Sequence, residues 1–232
     1  MTRLAVIFAG KLTNIENART NHCWLWNRDS NFQADVYIHH WDDEVVSDCE
    51  LVDQAVSITT SNRSKMREAL RALDQLVDKP DDFIDRHYSQ FWCMHEVAKH
   101  INFDQYDGVL KTRIDCFPAA KTTGDHFENH ARDGFKDHWK SSVLVDDLTF
   151  AAVWCINETA PSMVDHYMMQ SPKKVQGYSD PAWMKRVVEL GGDSPSGDEI
   201  WFKLCTTNGA TLIPNSYLGG MILREGVAPW AC

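Results

Sequence analysis

Five consecutive apolar residues, Leu4-Ala-Val-Ile-Phe8, closed by Ala9-Gly10-Lys11, constrain the fold of this chain more than any other stretch. A strand open to water on one face alternates polar and apolar residues. An unbroken apolar run of strand length is instead buried on both faces, as in a parallel sheet covered by helices. The segment from Thr13 or Asn14 to about Trp26 has an N-cap residue followed by Ile15, Ala18, Cys23, Trp24 and Trp26, which predicts a helix. Strand, glycine turn and helix form the first half of a β-α-β unit. A single glycine is not a G-x-G-x-x-G dinucleotide fingerprint, so the turn alone does not define a phosphate cradle.

The rest of the chain continues the α/β pattern. Ala34-Asp-Val-Tyr-Ile-His39 predicts a second strand running into His40-Trp41-Asp42-Asp43, and Ala55–Thr59 a third. Met66, Leu70, Leu73 and Val77 recur at helical spacing and predict an amphipathic helix from Asn62 to Asp78. A broad apolar face from Phe83 to Ile101 predicts a further, deeply buried helix. Tyr106-Asp-Gly-Val-Leu-Lys-Thr-Arg-Ile-Asp115 reads as a central strand that delivers Asp115 at its carboxyl end, beside Arg113 and Lys111.

Beyond Asp115, Pro118 and the polar run Lys121–Asp125 predict a loop. Strands follow at Ser142–Val145 and Phe150–Ile156, a helix at Thr159–Met169 with Pro161 in its first turn, and a polar connector from Ser171 to Pro181. A short helix from Trp183 to Leu190 is ended by Gly191-Gly192. Gly-rich residues 191–197 lead into Asp198-Glu199 and the helix Ile200–Cys205, followed by a last strand at Ala210–Ile213. The tail from Ser216 to Cys232 has no clear period.

At 232 residues, one domain is the expectation. A net charge of −10 disfavours broad contact with nucleic acid or an anionic membrane. Seven scattered cysteines without a C-x-x-C pair fit neither a zinc ribbon nor a disulfide framework, and point to a reducing compartment. With no apolar stretch of spanning length and no leader pattern, the expectation is a soluble, non-exported, cytoplasmic protein.

Three groups of residues carry chemistry. Asp115, at a strand's carboxyl end, is a candidate for metal or phosphate work, and equally for a turn cap. His126 and His130 stand at i, i+4, and with His138 and nearby acids they define an alternative reading as a metal-dependent hydrolase. That segment lacks the Glu of H-E-x-x-H, so a solvated loop or short helix is the plainer reading. Asp198 and Glu199 open a helix, where the dipole favours acids. They are either caps or catalytic carboxylates at the mouth of a cleft.

The first strand ending in Ala9-Gly10-Lys11-Leu12, the segment Ala34–Asp42, an aromatic helix near Gln90-Phe91, and Tyr106–Asp115 occur in that order. The chain thereby resembles bacterial surface-polysaccharide glycosyltransferases of the WavE-like kind, over roughly residues 4 to 160. The Gly197-Asp-Glu199 helix start is similar to the acidic element of GT-A glycosyltransferases.

The resemblance implies a single Rossmann-like GT-A domain: α/β, with a central, mostly parallel sheet and helices on both faces. Residues 1–115 would form the nucleotide-binding half and 116–232 the acceptor-binding half. The implied activity is transfer of a sugar from a UDP- or GDP-sugar to a glycan or glycoconjugate acceptor. Ala9, Gly10, Lys11, Asp42, Lys111, Arg113 and Asp115 are the implied donor-binding residues, with Asp115 holding a divalent cation, Mn²⁺ or Mg²⁺. Arg113 stands where the D-x-D motif has its first acid, so its guanidinium is positioned to neutralise diphosphate charge directly. If configuration inverts, a carboxylate must take the acceptor hydroxyl's proton. Glu199 or Asp198 is the first candidate and Asp146 or Asp147 the second. A nucleotide or sugar-phosphate binding protein without transfer activity is the competing reading.

Overall fold

The computed structural model describes residues 2–10, 32–46, 49–113, 116–120, 151–153, 167–170, 172–192, 197–206, 212–214 and 218–222. The expected helix at 13–26, the expected strand at 142–145 and the segment carrying His126 and His130 lie outside them.

Nine strands are described: β1 (Thr2–Phe8), β2 (Phe32–Trp41), β3 (Ala55–Ser61), β4 (Gly108–Thr112), β5 (Cys116–Ala120), β6 (Ala151–Val153), β7 (Tyr167–Gln170), β8 (Leu212–Pro214) and β9 (Leu218–Ile222). The described helices are α1 (Glu50–Asp53), α2 (Arg63–Arg71), α3 (Asp81–Ala98), α4 (Pro172–Gln176), α5 (Pro181–Gly191) and α6 (Gly197–Thr206). The main sheet runs β3-β2-β1-β4-β7, with the first four strands parallel and β7 antiparallel to β4. This is the α/β arrangement expected from the sequence.

The apolar run explains why β1 is central. Leu4 to Phe8 are wholly buried, and the side chains divide between the two sheet faces as a period of two requires. Ala5 and Ile7, with Tyr37 and Val109 from the neighbouring strands, join one cluster with residues of α2, α3, α5 and α6. Leu4, Val6, Phe8, Val36, Ile38 and Leu110 are buried on the opposite face. The broad face of α3 is consumed in this core through Ile84, Tyr88, Phe91, Met94 and Val97.

An aromatic cluster joins α3 to α5 and α6. Phe91 and Trp201 have ring centroids 4.6 Å apart, and Tyr178 stacks on Trp183 at 4.5 Å. His95 makes a 2.6 Å hydrogen bond from Nδ1 to the Tyr178 carbonyl, and burial pushes its pKa down, so it is a neutral core histidine. The fully buried indole of Trp201 donates from Nε1 to Gln90 Oε1 at 3.1 Å. Gln90→Leu leaves that N–H unpaired, and the expected loss is about 1–3 kcal/mol of stability, read as a lower urea midpoint at unchanged slope.

Several local expectations are corrected. The helix expected to reach Asp78 stops at Arg71: Asp74 takes a left-handed φ of 60°, and Leu76 rather than Val77 is buried. Residues 167–169, expected as the end of a helix, belong to β7, where the ladder to β4 fixes an extended backbone. The expected polar connector holds α4 and a 3-10 turn at Gly177–Ser179. The loop expected after Asp115 is in part strand β5, pairing antiparallel with β9 in the tail where no period was evident. Pro118 cannot donate to a ladder, yet a two-stranded ribbon leaves each strand an edge that needs no donor.

Candidate functional site

The four parallel strands point their carboxyl ends at one edge. Successive crossovers build outward on one side of β1 to β2 and β3, then return to place β4 on its other side. The chain therefore reverses direction of growth between β1 and β4, and a crevice outside the strand ends at such a point is where open α/β sheets bind ligands. The two strands stay paired to their ends. The Ala9 amide donates to the Thr112 carbonyl at 3.1 Å, carrying the β1–β4 ladder one residue past Phe8.

Gly10 and Arg113 follow on the two sides. Gly10 has φ of 133°, and among the described residues nothing stands within 4 Å of where a side chain would begin. Glycine is needed there for the backbone conformation. Thr112 is fully buried, and among the described residues its Oγ1 has no hydrogen-bond partner. Arg113 is half-buried and already engaged in the protein. Lys11 and Asp115 lie outside the described residues.

Two strands away, the same edge holds a cleft of about 310 Å³ lined by Asp42 beyond β2, Ser61 and Asn62 at the end of β3, Lys65 in α2, and Trp92 and Glu96 one turn apart on α3. Its walls are fixed by a chain of polar contacts. Asn62 caps α2 by accepting from the Lys65 amide at 2.9 Å while its Nδ2 donates to Asp42 Oδ2 at 2.6 Å. Asp42's own amide donates to the Ser61 carbonyl at 2.9 Å. Arg63 clamps the turn beyond β2, with its guanidinium 4.4 Å above the Trp41 ring and paired to Asp43 and Glu44.

His39 lies beneath this wall, wholly buried, with Nε2 2.9 Å from Ser61 Oγ. Trp92 Nε1 donates to the same oxygen at 3.2 Å. Among the described residues His39 Nδ1 has no partner. Burial, with the nearby His40 and Arg63 charges, lowers the His39 pKa to about 3, so the ring is neutral at physiological pH. Next to it, His40 donates from Nδ1 to the Trp41 carbonyl, and its Nε2 lies 2.7 Å from Thr60 Oγ1.

The structure therefore brings Ala9, Gly10, Asp42 and Arg113 to one edge. Lys111 is placed differently: it is 1 % exposed, on the same sheet face as Ile7, with Nζ 5.6 Å from the Trp201 ring centroid. Glu199, half-exposed in α6, pairs with Lys203 one turn on at 2.7 Å. Asp198 opens the same helix, while Asp146 and Asp147 lie outside the described residues. Among the described residues no group of three His, Cys, Asp or Glu side chains is placed to hold a metal ion.

Sequence reasoning missed Ser61, Asn62, Lys65, Trp92 and Glu96. The first two were within reach of it, since they stand where the third strand ends. Nothing local marks the pair on α3.

No family model matches the chain, and no curated protein sequence matches it. Solved structures similar to it include the apo form of the glycosyltransferase GlyE of Streptococcus pneumoniae, at 11 % identity and a TM-score of 0.45 over 92 % of this chain and 45 % of that one. Mouse xyloside xylosyltransferase 1 in its apo form matches at 11 % identity and 0.42, over 88 % of this chain and 80 % of that one. Core-mannan synthase A of Aspergillus fumigatus in a Mn/GDP form matches at 10 % identity and 0.43, over 95 % and 74 %. The chain thus spans less than half the length of GlyE. Likeness at this level assigns neither activity nor substrate.

Proposed function

We propose that this chain is a GT-A-type glycosyltransferase that moves a sugar from a nucleoside-diphosphate sugar to an acceptor hydroxyl in surface glycan or glycoconjugate synthesis. The observation that carries the reading is the β3-β2-β1-β4 order, which sets Gly10 and Arg113 on either side of the switch-point crevice. In this reading the diphosphate lies in that crevice and the nucleoside extends toward the cleft beside Asp42. Neighbouring strands are about 4.8 Å apart, so the two positions are separated by about 10 Å, a span that a ribose and a base bridge.

The reaction breaks the bond between the anomeric carbon and the diphosphate oxygen. Negative charge develops on that oxygen as the sugar becomes oxocarbenium-like, and Arg113 stabilises it with a planar, permanently charged fork. Asp115, three residues past the end of β4, is the residue that would hold a divalent cation, which when bound supplies further neutralisation of the diphosphate. Lys111, buried below the strand end with Nζ 5.6 Å from the Trp201 ring centroid, supports the site from within the core. Glu199, or Asp198 beside it, takes the acceptor proton if configuration inverts, in which case Lys203 orients the Glu199 carboxylate. The donor half is residues 1–115 and the acceptor half 116–232.

The replacement of the first D-x-D acid by Arg113 favours a second reading, a nucleotide or sugar-phosphate binder without turnover. A nucleotide-release assay across UDP- and GDP-sugars, with glycan acceptors and with Mn²⁺ or Mg²⁺, separates the two. Release coupled to a glycosylated product is expected; tight nucleotide binding with no release from any donor overturns the transferase reading.

A further inference from the structure

The cleft at the ends of β2 and β3 has a donor and acceptor pattern of its own, and we propose that it selects guanine, making the donor a guanosine-diphosphate sugar. The inference rests on the donor reading above and extends it to the base. Two carboxylates, Asp42 and Glu96, and one ammonium, Lys65, line the cleft with the Trp92 indole as an aromatic wall. Each carboxylate is steered by a protein donor on one oxygen only: Asn62 Nδ2 bonds Asp42 Oδ2 at 2.6 Å, and Lys99 Nζ bonds Glu96 Oε1 at 2.7 Å. Among the described residues neither second oxygen has a partner, and Lys65 is exposed and makes no ion pair.

The lining thus offers two anionic acceptors and one cationic donor. Guanine presents the complement on its pairing edge: N1–H and the N2 amino group donate, and O6 accepts. Uracil presents two carbonyl oxygens around a single N–H, which sets one carbonyl against a carboxylate. Adenine and cytosine each bring one amino donor and leave the second carboxylate without a partner, and desolvating an unpaired charge is costly. The volume, about 310 Å³, is at the lower end for small-molecule pockets and suits a planar base stacked on an indole.

Isothermal titration of the full chain with GDP, UDP, ADP and CDP, each with Mn²⁺, tests the assignment. GDP is expected to bind about 10- to 100-fold more tightly than the other three, the discrimination a bidentate base contact provides. Asp42→Asn and Lys65→Met alter exposed side chains, so both variants are expected to keep the wild-type circular dichroism spectrum. Each is expected to lower GDP affinity and bring the GDP-to-UDP affinity ratio close to one. If UDP binds as tightly as GDP, or neither variant changes the ratio, the base assignment is overturned and the donor reading stands. If no nucleoside diphosphate binds the wild-type chain, the donor reading falls and takes the base assignment with it.

Discussion

Asp115→Ala is expected to lower sugar transfer by at least about 100-fold while the fold and the thermal midpoint are retained. β4 ends at Thr112, beside the switch point, so the chain leaves the sheet edge with Arg113 and reaches Asp115 within three residues. In the proposed reading diphosphate departure concentrates charge at that edge, and a group that stabilises charge only as it develops acts on turnover more than on donor affinity. The check is a pair of measurements on one preparation, kcat by product formation and donor affinity by titration. Arg113→Gln, assayed alongside, is expected to weaken both, because the guanidinium meets the diphosphate before and during departure. Normal turnover by Asp115→Ala places the strand-end acid outside the site.

Acidification is expected to destabilise the fold through His39. Its pKa is about 3 in the folded chain, against 6.5 for an unperturbed histidine, so between these values the unfolded chain binds a proton that the native chain does not. Stability therefore rises with pH across that window: the contribution is fully present above about pH 6.5 and is lost as pH falls toward 3. The limiting slope is about 1.4 kcal/mol per pH unit, and the integrated loss is on the order of a few kcal/mol. His95 and His87, whose pKa values are also lowered by burial, act in the same direction. The measurement is the difference between wild type and His39→Gln in urea unfolding from pH 7 to 4. The variant is expected to show a slope smaller by one proton, and parallel curves would mean that His39 is charged in the native state or exposed to water.

The two outcomes concern different parts of one edge. Asp115 follows the strand on one side of β1, while His39 underlies the cleft on the other side, through Ser61 and Trp92. A loss of activity at low pH with an intact fold would therefore report on the charged groups of the site. A coincident loss of fold and activity would report on His39.

Much of the edge was legible in the residues. The run Leu4–Phe8 specified a strand buried on both faces because its apolar content is unbroken, and the turn Ala9-Gly10 marked its carboxyl end. Ala34–His39 and the Val109-Leu110 pair were readable from their β-branched and aromatic content, and parallel pairing of buried strands then puts Gly10, Asp42 and Arg113 at one edge of the sheet. The helix ending at Arg71 and the strand at Tyr167–Gln170 were misread because apolar spacing fits more than one backbone until a partner is present.

Local periodicity, which depends on neighbours a few positions apart, determined the central strands, the buried α3 and the α/β class. Contacts between distant segments decided the rest: that β4 sits beside β1 and not beside β3, that β5 finds β9, that Lys111 is covered by Trp201, and that Trp92 and Glu96 line one cleft with Asp42. The physical reason is that hydrogen-bond ladders and core packing are satisfied by whichever partner the whole chain delivers, and a linear pattern carries no record of that partner.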